Sequence, residues 1–115
     1  MIVGGLSSEP STPPVNIYEG NGQLSVAVPV PGAHSDHTRV TVRPDRLVML
    51  AENKYPQESQ HYHRRDWKVG AWHLDLDLPK RVDPQRAHAR ISHGVLVVMM
   101  PISDSGEGES QPAVE

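Results

Sequence analysis

The sequence predicts an all-β fold, an antiparallel β-sandwich, and three observations carry that expectation. Short apolar stretches with period-two alternation recur along the chain, the signature of half-buried strands. Turn residues close each stretch: Gly20-Asn21-Gly22, Pro31-Gly32, Pro44-Asp45, Pro79 and Gly94. No window sustains a 3.6-residue apolar period with helix caps. Val and Leu dominate the apolar set and Phe is absent, a bias that favours strands. Six or seven short strands at regular spacing with turns between them read as a sandwich.

Each element follows from its residues. Val15 to Tyr18 is a short opening strand. Gln23 to Val30 alternates cleanly, with Leu24, Val26, Val28 and Val30 on one face. Thr38 to Arg43 alternates again, and Leu47 to Leu50 is a continuous apolar strand. Ala71 to Leu78 places Trp72, Leu74, Leu76 and Leu78 on one face and His73, Asp75 and Asp77 on the other. Ala87 to Ile91 and Val95 to Met100 form a final hairpin. The second of these is a six-residue apolar run, the length of a strand buried on both faces. Gly94 sits where the turn needs positive φ, which a residue without Cβ adopts at little cost.

The 115 residues make one domain with one modest core. Residues 1–14 end in Ser11-Thr12-Pro13-Pro14 and read as a flexible arm; residues 15–102 form the sandwich. Residues 103–115 are rich in Ser, Gly and Glu and read as a disordered acidic tail. That tail carries Asp104, Glu107, Glu109 and Glu115 with no Lys or Arg, while the rest of the chain holds 11 basic and 10 acidic groups. The body is therefore near neutral, and neither nucleic acid nor a membrane is an expected partner. Cysteine is absent, which rules out a disulfide framework and a thiolate metal site and fits a reducing cytoplasm, the expected location. No phosphate-cradling loop, dinucleotide fingerprint or nucleophile motif is present. Asp75 and Asp77 are explained by a solvated strand face, so no catalytic residue, enzyme activity or cofactor is expected.

Six short motifs, in order, point further. They are Pro14-Val15-Asn16-Ile17-Tyr18-Glu19, Val28-Pro29-Val30-Pro31-Gly32, Leu47-Val48-Met49-Leu50-Ala51-Glu52, Tyr62-His63-Arg64-Arg65-Asp66, Gly70-Ala71-Trp72 with Leu78-Pro79, and the hairpin around Gly94-Val95-Leu96. Over about residues 14–101 this series resembles the bacterial type of the small heat-shock protein (α-crystallin domain) family, and the order of the motifs is more specific than any one of them. The resemblance implies an immunoglobulin-like sandwich. Its implied function is ATP-independent holdase chaperoning, in which partly unfolded client proteins are bound and kept from aggregating. Departures are visible: Ala51 replaces a usual Gly, Pro29 stands within a strand, and Leu74 and Asp77 stand where Arg is frequent. The alternative is a co-chaperone (CS-type) scaffold domain on the same sandwich.

The resemblance also implies two interaction surfaces. In the family, a loop carrying a short extra strand swaps onto the partner of a homodimer. Here the polar segment Asn53 to Lys68 is that loop, and Tyr55, Tyr62, Arg64 and Arg65 would meet Val15, Asn16, Ile17 and Tyr18 of the second chain. The second surface is a groove near Val40, Val42, Ala89 and Ile91; a plain core role is at least as natural for Val40 and Val42. Family tails dock an I-x-I motif in a neighbour's groove. Residues 103–115 hold no such pair, Val114 standing alone, so the groove is expected to be free for a client or for the apolar arm residues Ile2, Val3 and Leu6. The seven His match no helix-borne zinc motif, and no metal site is assigned to them; a surface that binds metal or senses pH is the remaining alternative.

Overall fold

The computed structural model describes residues 11–53, 60–64, 66 and 71–115. Two antiparallel sheets face each other. Strands β1 (Asn16–Gly20), β2 (Gln23–Pro29), β3 (Ala33–Arg43), β4 (Arg46–Asn53), β5 (Ala71–Asp77), β6 (His88–Ser92) and β7 (Val95–Pro101) follow in chain order. One sheet has the order β1-β2-β7-β6 and the other β3-β4-β5.

Alternation sets the core. Leu24, Val26 and Val28 of β2 lie opposite Met100, Val98 and Leu96 of β7, and all six are buried. From the other sheet come Val40 and Val42 of β3, Leu47, Met49 and Ala51 of β4, and Leu74 of β5. A residue shift of one in any of these ladders would turn its apolar set to solvent, so the core pins the register. The run Val95–Met100 was expected to be buried on both faces. Only Leu96, Val98 and Met100 are; Val95, Val97 and Met99 are half-buried on the outer face, beside Ala27, Ser25 and the β6 residues Arg90 and His88. Among the described residues no layer of helices covers that face, as one would in a parallel sheet.

Two hairpins show why their turn residues are needed. Asn21 and Gly22 have φ of 54° and 77° between β1 and β2; His93 and Gly94 have φ of 54° and 79° between β6 and β7. Two successive positive φ values match the right-handed twist of the flanking strands in a two-residue hairpin loop. Pro29 is exposed at the last position of β2, where it costs the ladder little. The next residue, Val30, donates its N–H to the Gly94 carbonyl at 2.8 Å, which ties the two chain reversals together.

Segments at both ends of the described residues pair with the sandwich. Ser11, at the start of the described residues, is paired to β5. Ser11 N–H donates to Ala71 O, His73 N–H donates to Ser11 O, both at 2.9 Å, and Pro13 is buried. By composition residues 103–115 read as a coil. They run back over the sandwich and pair with two strands, as described below. The physical reason is the same in both cases. Sheet edges carry unpaired backbone donors and acceptors, and a passing segment satisfies them whatever its composition.

Candidate binding edges

Among the described residues the two sheets have four edge strands, β1, β6, β3 and β5. Their backbone groups are the natural contacts for another chain, so each edge is taken in turn.

β5 is covered by Ser11. β1 pairs with β2, and among the described residues no backbone bond from its other side is seen. All five β1 residues are exposed, and it bears both large exposed hydrophobic residues of the described chain: Ile17 at 36 % and Tyr18 at 53 %. Ile17 lies opposite the core residue Val26, at the rim of the sandwich; Tyr18 lies opposite Ser25 on the outer face. Glu19 is anchored by Lys80 at 3.0 Å. Val15 is half-buried against the core, and Asn16 is exposed.

The segment expected to reach this edge is described in part. Tyr55, Arg65, and the stretches 54–59 and 67–70 lie outside the described residues. Tyr62 is half-buried. Arg64 Nε–H donates to both carboxylate oxygens of Asp66, at 3.0 and 3.2 Å, on the open surface. The arm residues Ile2, Val3 and Leu6 also lie outside the described residues.

The remaining edges, β3 and β6, flank one seam. Val40, Val42 and Ala89 are buried and fill the core, and Ile91 is half-buried against it. The chain's own residues 110–115 occupy the seam. Ser110 exchanges both backbone bonds with Val42, at 2.8 and 2.9 Å; Glu115 N–H donates to Ala89 O at 3.1 Å, and Ile91 N–H donates to Glu115 O at 2.8 Å. Val114 pairs in parallel with Ala89 and packs against the core. Four residues at about 3.3 Å each span about 13 Å, enough to cross from one sheet to the other, which stand ~10 Å apart.

Side chains hold the approach to the seam. Arg43 Nε donates to Glu109 Oε1 at 2.8 Å, Gln85 Nε2 to Glu109 O at 3.2 Å, and Arg81 Nη2 to Gly106 O at 3.1 Å. Ser110 Oγ donates to Pro84 O. A single 3₁₀ turn, Pro84–Arg86, presents that carbonyl; Asp83 caps the turn by accepting from Gln85 N–H. Glu109, Ser110 and Val114 were not singled out as site residues. The one signal was Val114, a lone β-branched residue just past Pro112.

An ion pair bridges β4 and β5 on the outer face of the three-stranded sheet. Arg46 donates to both Asp75 oxygens, at 2.7 and 2.5 Å. Those hydrogen bonds hold the Asp75 carboxyl below its ordinary value and raise Arg46. The histidines form edge-to-face pairs, His34 with His37 and His61 with His63, with ring centroids 6.4 and 5.4 Å apart. Among the described residues no group of three or more His, Asp or Glu is placed to hold a metal.

Comparison with known proteins decides the family. The model of the Hsp20/alpha crystallin family matches residues 16–114. The chain belongs to the Hsp20/alpha crystallin family. It is 25 % identical over 108 residues to Heat shock protein 16 of Schizosaccharomyces pombe, covering 90 % of this chain and 76 % of that protein. It is 24 % identical over 88 residues to a chloroplastic small heat shock protein of Solanum lycopersicum, of which it spans 37 %. Among solved structures, a small heat-shock protein from Xylella fastidiosa superposes with a TM-score of 0.68 at 28 % identity, covering 84 % of this chain and 90 % of that one. HspA from Xanthomonas axonopodis reaches a TM-score of 0.72 at 22 % identity, covering 82 % and 96 %. Membership places the chain among chaperones rather than enzymes, and the co-chaperone alternative is not favoured.

Proposed function

We propose that this chain is an ATP-independent holdase that captures partly unfolded proteins, and that it works as a homodimer joined by strand exchange in the cytoplasm. The observation that carries the reading is the β1 edge. It is unpaired on its outer side among the described residues and bears Ile17 and Tyr18, the exposed large hydrophobics of the described chain. An open edge with apolar side chains accepts an extended segment by backbone pairing. In the resting dimer the partner's 53–68 segment is the occupant, through Tyr55, Tyr62, Arg64 and Arg65. Clients are held by apolar contacts, with Ile2, Val3 and Leu6 contributing side chains worth roughly 1.5–3 kcal/mol each before ordering costs.

Light scattering of a heat-denatured enzyme, at stoichiometric chain with and without ATP, tests capture. Equal suppression in both conditions is expected; no suppression in either overturns the holdase reading. Deleting Tyr55 to Gln60 tests the dimer, which should dissociate to monomers by native mass measurement. An unchanged dimer assigns the interface elsewhere.

A further inference from the structure

Histidines form two ring pairs on the surface, and neither pair has a part in client capture or in the strand edges. We infer that one of them, His61 with His63, is a labile binding site for a divalent transition-metal ion of the copper and zinc class, held by one imidazole nitrogen from each ring and completed by water.

Ring spacing singles out this pair. A nitrogen ~2.0–2.1 Å from zinc puts the centre of its ring roughly 3.2 Å from the ion, so two rings at a tetrahedral angle have centres about 5.2 Å apart. The His61 and His63 ring centroids are 5.4 Å apart. The rings meet edge to face, and rotation about χ2, a broad torsion for His, turns one nitrogen of each toward the point between them. The His34 and His37 centroids are 6.4 Å apart. The same bond lengths reach that separation only with the ion on the straight line between the rings.

The surroundings point the same way. His61 and His63 are exposed and Tyr62 between them is half-buried, so both rings share the solvent side of the segment. Among the described residues neither ring has a hydrogen bond or an ion pair, and their nitrogens are open to an ion. His34 is engaged: its Nδ1 accepts from Asp36 N–H at 3.2 Å and lies 3.4 Å from the Asp36 carboxylate. A metal at His34 must first displace those contacts.

Ligand number sets the character of the site. Structural zinc takes four protein ligands and catalytic zinc three. Among the described residues no group of three His, Asp or Glu is placed to hold an ion. Two imidazoles leave the remaining positions to water, so the ion exchanges readily. Imidazole suits copper, nickel and zinc, with copper bound most tightly, whereas magnesium and calcium take oxygen ligands.

The test is calorimetric titration of the untagged full chain with copper(II), zinc(II) or magnesium(II) chloride in a non-coordinating buffer, with histidine ring signals followed by NMR. Copper should bind at one ion per chain and more tightly than zinc, and magnesium should give no heat. Substoichiometric copper should broaden the His61 and His63 ring signals before those of the other histidines. His61→Asn and His63→Asn should each weaken binding roughly tenfold or more, and the double variant His34→Asn/His37→Asn should change it less than about twofold. Absence of binding at millimolar copper overturns the site, as does equal binding of magnesium. Unchanged affinity in both His61→Asn and His63→Asn, or broadening that begins at other histidines in the parent chain, also overturns it. The broadening pattern needs no variant, so it decides even if a substitution disturbs the fold.

Discussion

Replacing Gly94 separates backbone strain from steric crowding. Gly94 has φ +79° and follows His93 at +54° in the β6–β7 hairpin. A Cβ built on Gly94 meets only Pro31 Cα, at 3.8 Å, an ordinary contact. Space is therefore available, and the cost of a side chain is conformational. Left-handed backbone costs an L-residue about 1–2 kcal/mol, and a β-branched residue at the upper end of about 1–3 kcal/mol. The Gly94 carbonyl also accepts from Val30 N–H at 2.8 Å, so relaxing the turn to relieve the strain sacrifices that bond. For a domain of this size, about 1 kcal/mol lowers the melting point by about 4 °C. Gly94→Ala should then melt about 4–8 °C lower and Gly94→Val about 10 °C lower. Gly94→Asn should lose only a few degrees, because Asn tolerates the left-handed region. The assay is thermal unfolding at one fixed protein concentration, since association shifts apparent stability. Equal melting of the Val variant and the parent, or an Asn variant as damaged as Val, would refute the assignment of the cost to φ.

Other perturbations test the core, the surface and the arm. Leu47→Ala, at a fully buried site opposite Val42 and Leu76, should cost about 2–5 kcal/mol in urea unfolding, whereas Tyr18→Ala at an exposed site should stay within about 0.5 kcal/mol for the monomeric fold. Asp75→Asn removes a carboxylate whose pKa is lowered in the folded state by Arg46. Its stabilisation is present above the ordinary value of 3.8 and is lost as pH falls through the lowered folded value. The stability gap between parent and variant should therefore be constant above about pH 5 and narrow below about pH 4; a gap that widens on acidification contradicts the pairing. Removal of residues 1–6 should weaken client protection in light scattering while native mass shows the assembly intact, and full protection would place capture on the sandwich alone.

Much of the sandwich is decided by local chemistry. The alternation of Leu24, Val26 and Val28 determines which face of β2 is buried, because side chains on a strand alternate with period two. The Asn21-Gly22 and His93-Gly94 pairs determine where strands reverse, because few residues hold positive φ. The motif order from Val15 to Pro101 carries the family likeness, which the family match over residues 16–114 supports. What the tertiary structure alone decided is the fate of the edges. Ser11 pairs with β5 and Val114 with β6, between residues more than twenty positions apart, and nothing near either residue announces the partner. The Gly-Glu-Gly-Glu-Ser run from 106 to 110 has the composition of a solvated coil, yet it lies across the sandwich. Composition reports how little apolar surface a segment can bury. It does not report backbone donors and acceptors left unpaired on a distant strand, and these decide whether such a segment is ordered.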